Sequence, residues 1–142
     1  MRIYAFADEA SPAIDGQIAA MRRNGLNGLE IRGVDGENVS AISLEKAKEV
    51  RRKLDDAGLC TWSIGSPIGK IDIETGDFAA HLEQLRHTLG VSPGPGAKRL
   101  RVFSFYIPAG KEPAGHRNRA IDQVGEMLRR GGGSGVLFRH EK

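Results

Sequence analysis

Four glycines constrain this chain more than any other feature. Gly25, Gly58, Gly96 and Gly135 each precede a short apolar run, and they recur at intervals of 33, 38 and 39 residues. An interval of that size holds one strand, one polar loop and one amphipathic helix, so the chain reads as a repeated strand-helix unit. Strands that alternate with helices pair in parallel through right-handed crossovers. That leaves two main architectures, a doubly wound open sheet or an eight-stranded barrel. A five-stranded open sheet fits 142 residues directly, whereas a whole barrel takes about 250. Length alone therefore favours the open sheet.

The repeats can be placed segment by segment. Residues 2–7 (RIYAFA) form a first strand. Ser11 and Pro12 are expected to open a helix, with Ile14, Ile18 and Met21 on one face and Asn24-Gly25 at its end. Residues 26–32 form the second strand, followed by a long polar loop at 33–38; Ser43 caps a helix whose Leu44, Ala47, Val50 and Leu54 share a face. Residues 59–64 form the third strand, and Asp77 caps a helix marked by Phe78, Leu82, Leu85 and Leu89, which Pro93 and Pro95 terminate. Residues 99–105 form the fourth strand. A helix at 113–130 then presents Ile121, Val124 and Leu128, and a glycine-rich link at 131–135 leads to a closing strand ending in Glu141. The whole of 1–142 reads as one domain.

Composition excludes several classes. Hydrophobic residues are 39% and charged residues 27%, which is the globular range. No apolar run reaches the roughly 20 residues of a membrane span, and Met1 runs into a strand without a leader pattern, so a cytoplasmic location is the expectation. The single cysteine, Cys60, excludes an internal disulfide and a cysteine-based zinc site; it is expected to pack as a small apolar residue. The net charge of +3 and pI of 9.2 admit nucleic acid as a partner. The basic clusters at 22–23, 51–53 and 129–130 lie near helix ends, however, where cations complement the helix dipole, and this disfavours it.

In either architecture ligands bind at the carboxyl ends of the strands. The residues there are Asp8 and Glu9, Glu30 and Arg32, Ser66 and Lys70, Tyr106 and Lys111, and His140 and Glu141. His81 and His87 are six apart on a helix and are expected at the surface. Strand alternation puts His140 with Val136 and Phe138, and Glu141 with Leu137 and Arg139, so only one member of the His-Glu pair can face a site. Residues 65–70 fall short of a nucleotide-binding loop, with three residues between the glycines and Ile71 after the lysine. A turn whose amides and lysine attract a phosphate remains open. No GxGxxG follows the first strand, which argues against a dinucleotide cofactor. Glu30 with Arg32, and Arg99 with Arg101, share strand faces and read either as an interior ion-pair layer or as a substrate-binding set.

Several ordered segments carry a family resemblance: FADEAS near the start, NGLEIRGVDGENV, WSIGSPIGKIDI, RLRVFSFYIPAGK and the closing HE. Together they resemble the sugar phosphate isomerase/epimerase family of xylose-isomerase-like TIM barrels. The resemblance overrides length and implies a partial barrel of parallel (β/α) repeats, about five strands and four helices, truncated before the remaining units. It implies a divalent metal (Mn, Mg or Zn) held by acids and a histidine at strand ends, and proton transfer next to a sugar carbonyl. In such relatives the glutamate ending strand five is a metal ligand, which makes Glu141 the metal and catalytic candidate; Glu30, Arg32, Ser66, Lys70 and Tyr106 are the substrate-binding candidates. Arg139 is placed to pair with Glu141 and compete with the metal. The expected ligand is a small sugar or sugar phosphate, and a chain with so few of the ligands is expected to be inactive by itself. A non-catalytic ligand-binding or interaction fragment is the alternative. A third reading, the related barrels that cut abasic DNA, wants histidines and acids that have no counterpart here. Two unpaired sheet edges predict self-association, and whether the gene continues past Lys142 is open.

Overall fold

The computed structural model describes residues 1–141. Its elements follow the expected alternation: β1 (Tyr4–Phe6), α1 (Ile14–Arg23), β2 (Gly28–Ile31), β3 (Gly33–Val34), β4 (Glu37–Asn38), α2 (Leu44–Asp56), β5 (Cys60–Gly65), α3 (Phe78–Val91), β6 (Arg99–Val102), α4 (Pro113–Gly131) and β7 (Leu137–His140). A five-stranded sheet runs in the order β1-β2-β5-β6-β7 and every pairing is parallel. Strand order thus equals chain order. A doubly wound sheet reverses its order at a switch point, so the open sheet that length favours is excluded and the arrangement is that of consecutive barrel strands.

With right-handed crossovers and no reversal, all the helices cover one face of the sheet. That face is the core. Leu29, Ile31, Ile64, Leu100 and Val102 pack there against Ile14, Met21, Ala47, Val50, Leu54, Leu85 and Met127, all buried. Gly131 lets α4 close on β7, since a Cβ there would meet the Phe138 ring at 2.3 Å. The alternate strand positions, Tyr4, Phe6, Glu30, Arg99 and Arg101, occupy the opposite, concave side.

Local departures from the sequence expectation have identifiable causes. The polar loop at 33–38 is a tight β3–β4 hairpin whose two central residues, Asp35 and Gly36, both have positive φ (52° and 86°). From that turn Asp35 accepts the Ile14 amide at 2.8 Å, so the first turn of α1 is capped from 21 residues away rather than by Ser11-Pro12. Ser43 and Asp77 cap α2 and α3 as expected. Cys60 is exposed in β5 rather than packed as a small apolar residue, because it lies at the strand's solvent end. Leu44 points out because it lies in the first turn of α2, before the buried stripe of Ala47, Val50 and Leu54 begins. Ile121 (53% exposed) and Leu128 (49%) also face away from the core, which α4 meets through Val124, Met127 and Gly131. His81, expected at the surface, is buried.

The two apolar environments predict different costs. Leu100→Ala removes fully buried volume at the centre of the sheet and should cost about 2–5 kcal/mol in urea denaturation. Leu128→Ala should stay within about 0.5 kcal/mol. A large effect of the second substitution would show that this α4 face is covered.

Candidate functional site

The concave face is organised by one arginine. Arg101 on β6 is in register with Gly65 on β5 and Arg139 on β7. Its guanidinium crosses Gly65 toward β2, where Nε lies 3.0 Å from Glu30 Oε1, while Nη1 binds Glu141 just beyond β7. Gly65 makes this path possible: a Cβ there would lie 2.9 Å from Arg101 Nη2 and 3.1 Å from Glu30 Oε1. The guanidinium packs 4.8 Å from the Phe6 ring centroid and 5.3 Å from that of Phe103. It is 15% exposed, against 46% for Glu141.

A bulge shapes the neighbouring wall. Leu29 pairs with Thr61 but Glu30 pairs with Ser63, so Trp62 is the extra residue in β5. Trp62 and Ser63 therefore line the same cleft, of about 390 Å³, together with Glu30, Arg101, Arg139, His140 and Glu141. The Trp62 ring stacks on Tyr4 (centroids 4.9 Å apart) and carries the Arg99 guanidinium 3.8 Å above it. Ser63 Oγ, Glu30 Oε1 and Arg101 Nε are buried without a hydrogen-bond partner; the Arg101–Glu30 contact is close enough for an ion pair but not aligned for a hydrogen bond. Glu30 Oε1 and Arg101 Nε offset one another by charge, whereas the desolvation of Ser63 Oγ is left uncompensated. A larger groove of about 660 Å³ on the helical side, between Leu44, Arg51 and Gly94, contains none of the strand-end groups.

The sequence candidates divide accordingly. Glu30 and Glu141 meet at Arg101. Arg32 also packs on Phe6, 4.9 Å from the ring centroid, and is held by Asp8 at 2.8 Å and Glu9 at 3.3 Å. Ser66 is buried beneath the face, its hydroxyl donating to the Arg101 carbonyl at 2.5 Å and accepting from the Ile68 amide. Lys70 is exposed with Nζ 4.3 Å from the Phe103 ring centroid. Tyr106 is exposed in the loop after β6, where its backbone bridges to the 71–73 segment. The amides of Ile68, Gly69 and Lys70 are taken by Ser66 Oγ, His81 Nε2 and the Pro67 carbonyl, so this turn offers no phosphate cradle. Arg139 does not take Glu141, because Arg101 reaches it first across the β6–β7 pair. Phe6, Trp62, Ser63 and Phe103 carried no sequence signal as site residues; the bulge and the loop path bring them in.

Fold and site together define a parallel (β/α) barrel arrangement with charged residues at the strand ends, over five consecutive strands. The fold is that of xylose-isomerase-like TIM barrels. The chain is similar to a 3-keto-D-glucoside 4-epimerase from E. coli (TM-score 0.73, 15% identity, covering 99% of this chain and 56% of that one). It is similar to a probable 3-DHS dehydratase from Bacillus anthracis (0.75, 14%, 97% and 51%). It also resembles a xylose isomerase-like TIM barrel protein from Mycobacterium smegmatis in complex with magnesium (0.67, 18%, 98% and 54%). The chain thus spans about half the length of the structures it matches. No family model matches the sequence, and neither does any of the curated proteins compared with it.

The magnesium in one of these barrels raises the question of a metal here. The donors do not fit one. Glu141 Oε2 and Glu30 Oε1 both face the same guanidinium, and among the described residues no three His, Cys, Asp or Glu side chains converge on a common point.

The loop behind the site is held by His81, whose Nε2 accepts the Gly69 amide at 2.7 Å. Burial pushes this imidazole below its ordinary value of about 6.5, with a hydrogen bond involving Gln84 opposing. The unfolded chain then takes up the proton at higher pH than the folded one, so this contribution is present above about pH 6.5 and is lost as pH falls through the folded value. His116 behaves oppositely: Glu74 holds it above its ordinary value, so its contribution is lost as pH rises. The urea midpoint of the wild type should therefore carry a component that falls below pH 6.5 and is absent in His81→Gln. Identical profiles for the two proteins would remove His81 from the account.

Proposed function

We propose that the concave face binds a sugar or sugar phosphate, and that the chain supplies the substrate-binding wall of an isomerase or epimerase that moves a proton next to a carbonyl. The observation carrying this reading is the Glu30–Arg101–Glu141 bridge beside an exposed indole. Ionised side chains and hydroxyls take the oxygens of a sugar. Glu30, Arg101, Ser63 and Glu141 line the cleft with such groups, and the exposed edge of Trp62, whose ring packs between Tyr4 and Arg99, completes its wall. Glu141 is the exposed acid of the pair and so the one assigned to proton handling, with Arg101 orienting it. Arg32, Lys70 and Tyr106 border the same end of the sheet and are assigned to the outer parts of the ligand; Ser66 acts by fixing the loop. The E. coli protein of similar fold is an epimerase at the carbon next to a ketone, which agrees with this reaction class.

A non-catalytic binding role is the second reading, favoured by the engagement of both carboxylates with Arg101. Abasic DNA is not favoured, since the described residues bring together no histidine-acid cluster. None of the described helices is long and apolar enough to cross a membrane; a cytoplasmic setting is proposed with the enzyme class.

Trp62 is the only tryptophan, and its emission reports directly on the cleft. Titration with a ketose and with its phosphate should change Trp62 fluorescence saturably. Glu30→Gln should weaken binding about tenfold, the scale of one charge-assisted hydrogen bond. No response to either class of ligand would sink the sugar reading.

Association follows from the same geometry. β1 pairs only with β2, and β7 only with β6, among the described strands. With Leu137, Ile121 and Leu128 exposed nearby, these edges are proposed to pair between copies. Size-exclusion chromatography with light scattering should give masses above the 15.4 kDa of one chain. A concentration-independent monomer would contradict the proposal.

A further inference from the structure

We infer that the Arg101 guanidinium is the resident cation of this face and keeps a divalent metal off Glu141. The inference rests on the fold and the ion-pair geometry, independently of the sugar reading. Oxygen-ligated divalent ions gather several carboxylates, carbonyls or waters. The face offers two carboxylates, Glu30 and Glu141, and Arg101 contacts both.

The arginine is held in that place. Gly65 clears its path, and Phe6 and Phe103 pack near the guanidinium. A metal taking Glu141 would have to part a largely buried guanidinium from one of its two counter-ions, leaving Glu30 alone to offset it, which is unfavourable. Arg139, in register beside Arg101, adds a second positive charge at the rim and has no carboxylate partner among the described residues. The planar fork also differs from a metal in what it offers. It presents N–H donors to paired oxygens rather than an open coordination position. A ligand here therefore meets a hydrogen-bond donor array where a metal-bearing barrel would present a Lewis acid.

Manganese alone tests this, by calorimetry and by the relaxation of water protons, with no sugar present. The wild-type chain should show no saturable binding. Arg101→Met, checked for folding by circular dichroism, frees both carboxylates and should raise manganese affinity about tenfold or more, the scale on which supporting groups move metal sites. Adding Glu141→Gln to that variant should abolish the gain. A folded Arg101→Met without gain would overturn the inference, as would saturable binding to the wild type that Glu141→Gln removes. Should Arg101→Met not fold, the wild type decides by NMR: unbroadened His140 and Glu141 amides with manganese support the inference, and selective broadening overturns it. Failure of the fluorescence titration leaves this result untouched, because no sugar enters it.

Discussion

Arg101 reaches Glu30 only because the residue in its path, Gly65, has no side chain. The contact spans three strands of the sheet, and a third partner, Glu141, closes it on the far side. Much of the concave face follows from this. Glu30 near the end of β2 and Glu141 just after β7 converge on one guanidinium, Phe6 and Phe103 pack against it, and Ser66 is turned inward to hold the carbonyl of the same residue. The bridge is not explained by stability, since a largely buried ion pair seldom outperforms apolar packing of the same volume. Its effect is positional: it fixes which carboxylate oxygens remain available to a ligand.

The helical side has a different logic and makes the concave side possible. Fully buried Leu29, Ile31, Ile64 and Leu100 anchor each central strand to the helices, so strand orientation is settled by apolar burial on one face. The other face is then free to carry charge. Because every pairing is parallel, the strand-end loops all open at one end of the sheet, and residues as distant as Glu30 and Glu141 come within reach of one arginine.

Much of this was legible in the residues. The glycine interval revealed the repeat, and Ser43 and Asp77 announced two helix starts. The expectation from alternation that only one of His140 and Glu141 could face the site does not hold, because β7 ends at His140 and both residues line the same cleft. What alternation could not show was the β5 bulge, because a single extra residue leaves the apolar pattern of Ile64 intact while it turns Trp62 and Ser63 to one side. Nor could local pattern show a cap supplied by Asp35 to Ile14, or a hydrogen bond from Gly69 to His81, since both depend on how loops fold back on helices. Length misled for a physical reason: it limits how many repeats a chain holds but says nothing about the order in which they pair. The resemblance, carried by ordered segments along the whole chain, did contain that order.

The same contrast bears on how function should be read from such a face. A fold places acids at strand ends but does not decide what neutralises them. Glu141 stands where a metal ligand is expected from the resemblance, yet its neighbour in space is a cation delivered by β6 and admitted by a glycine on β5. Two residues outside the strand-end set, one of them lacking a side chain, thus determine whether the acid coordinates a metal, pairs with a guanidinium or meets a ligand directly. Substitution at Gly65 would bear on all three outcomes at once, because a Cβ there would lie 2.9 Å from Arg101 Nη2 and 3.1 Å from Glu30 Oε1 and would make these side chains shift.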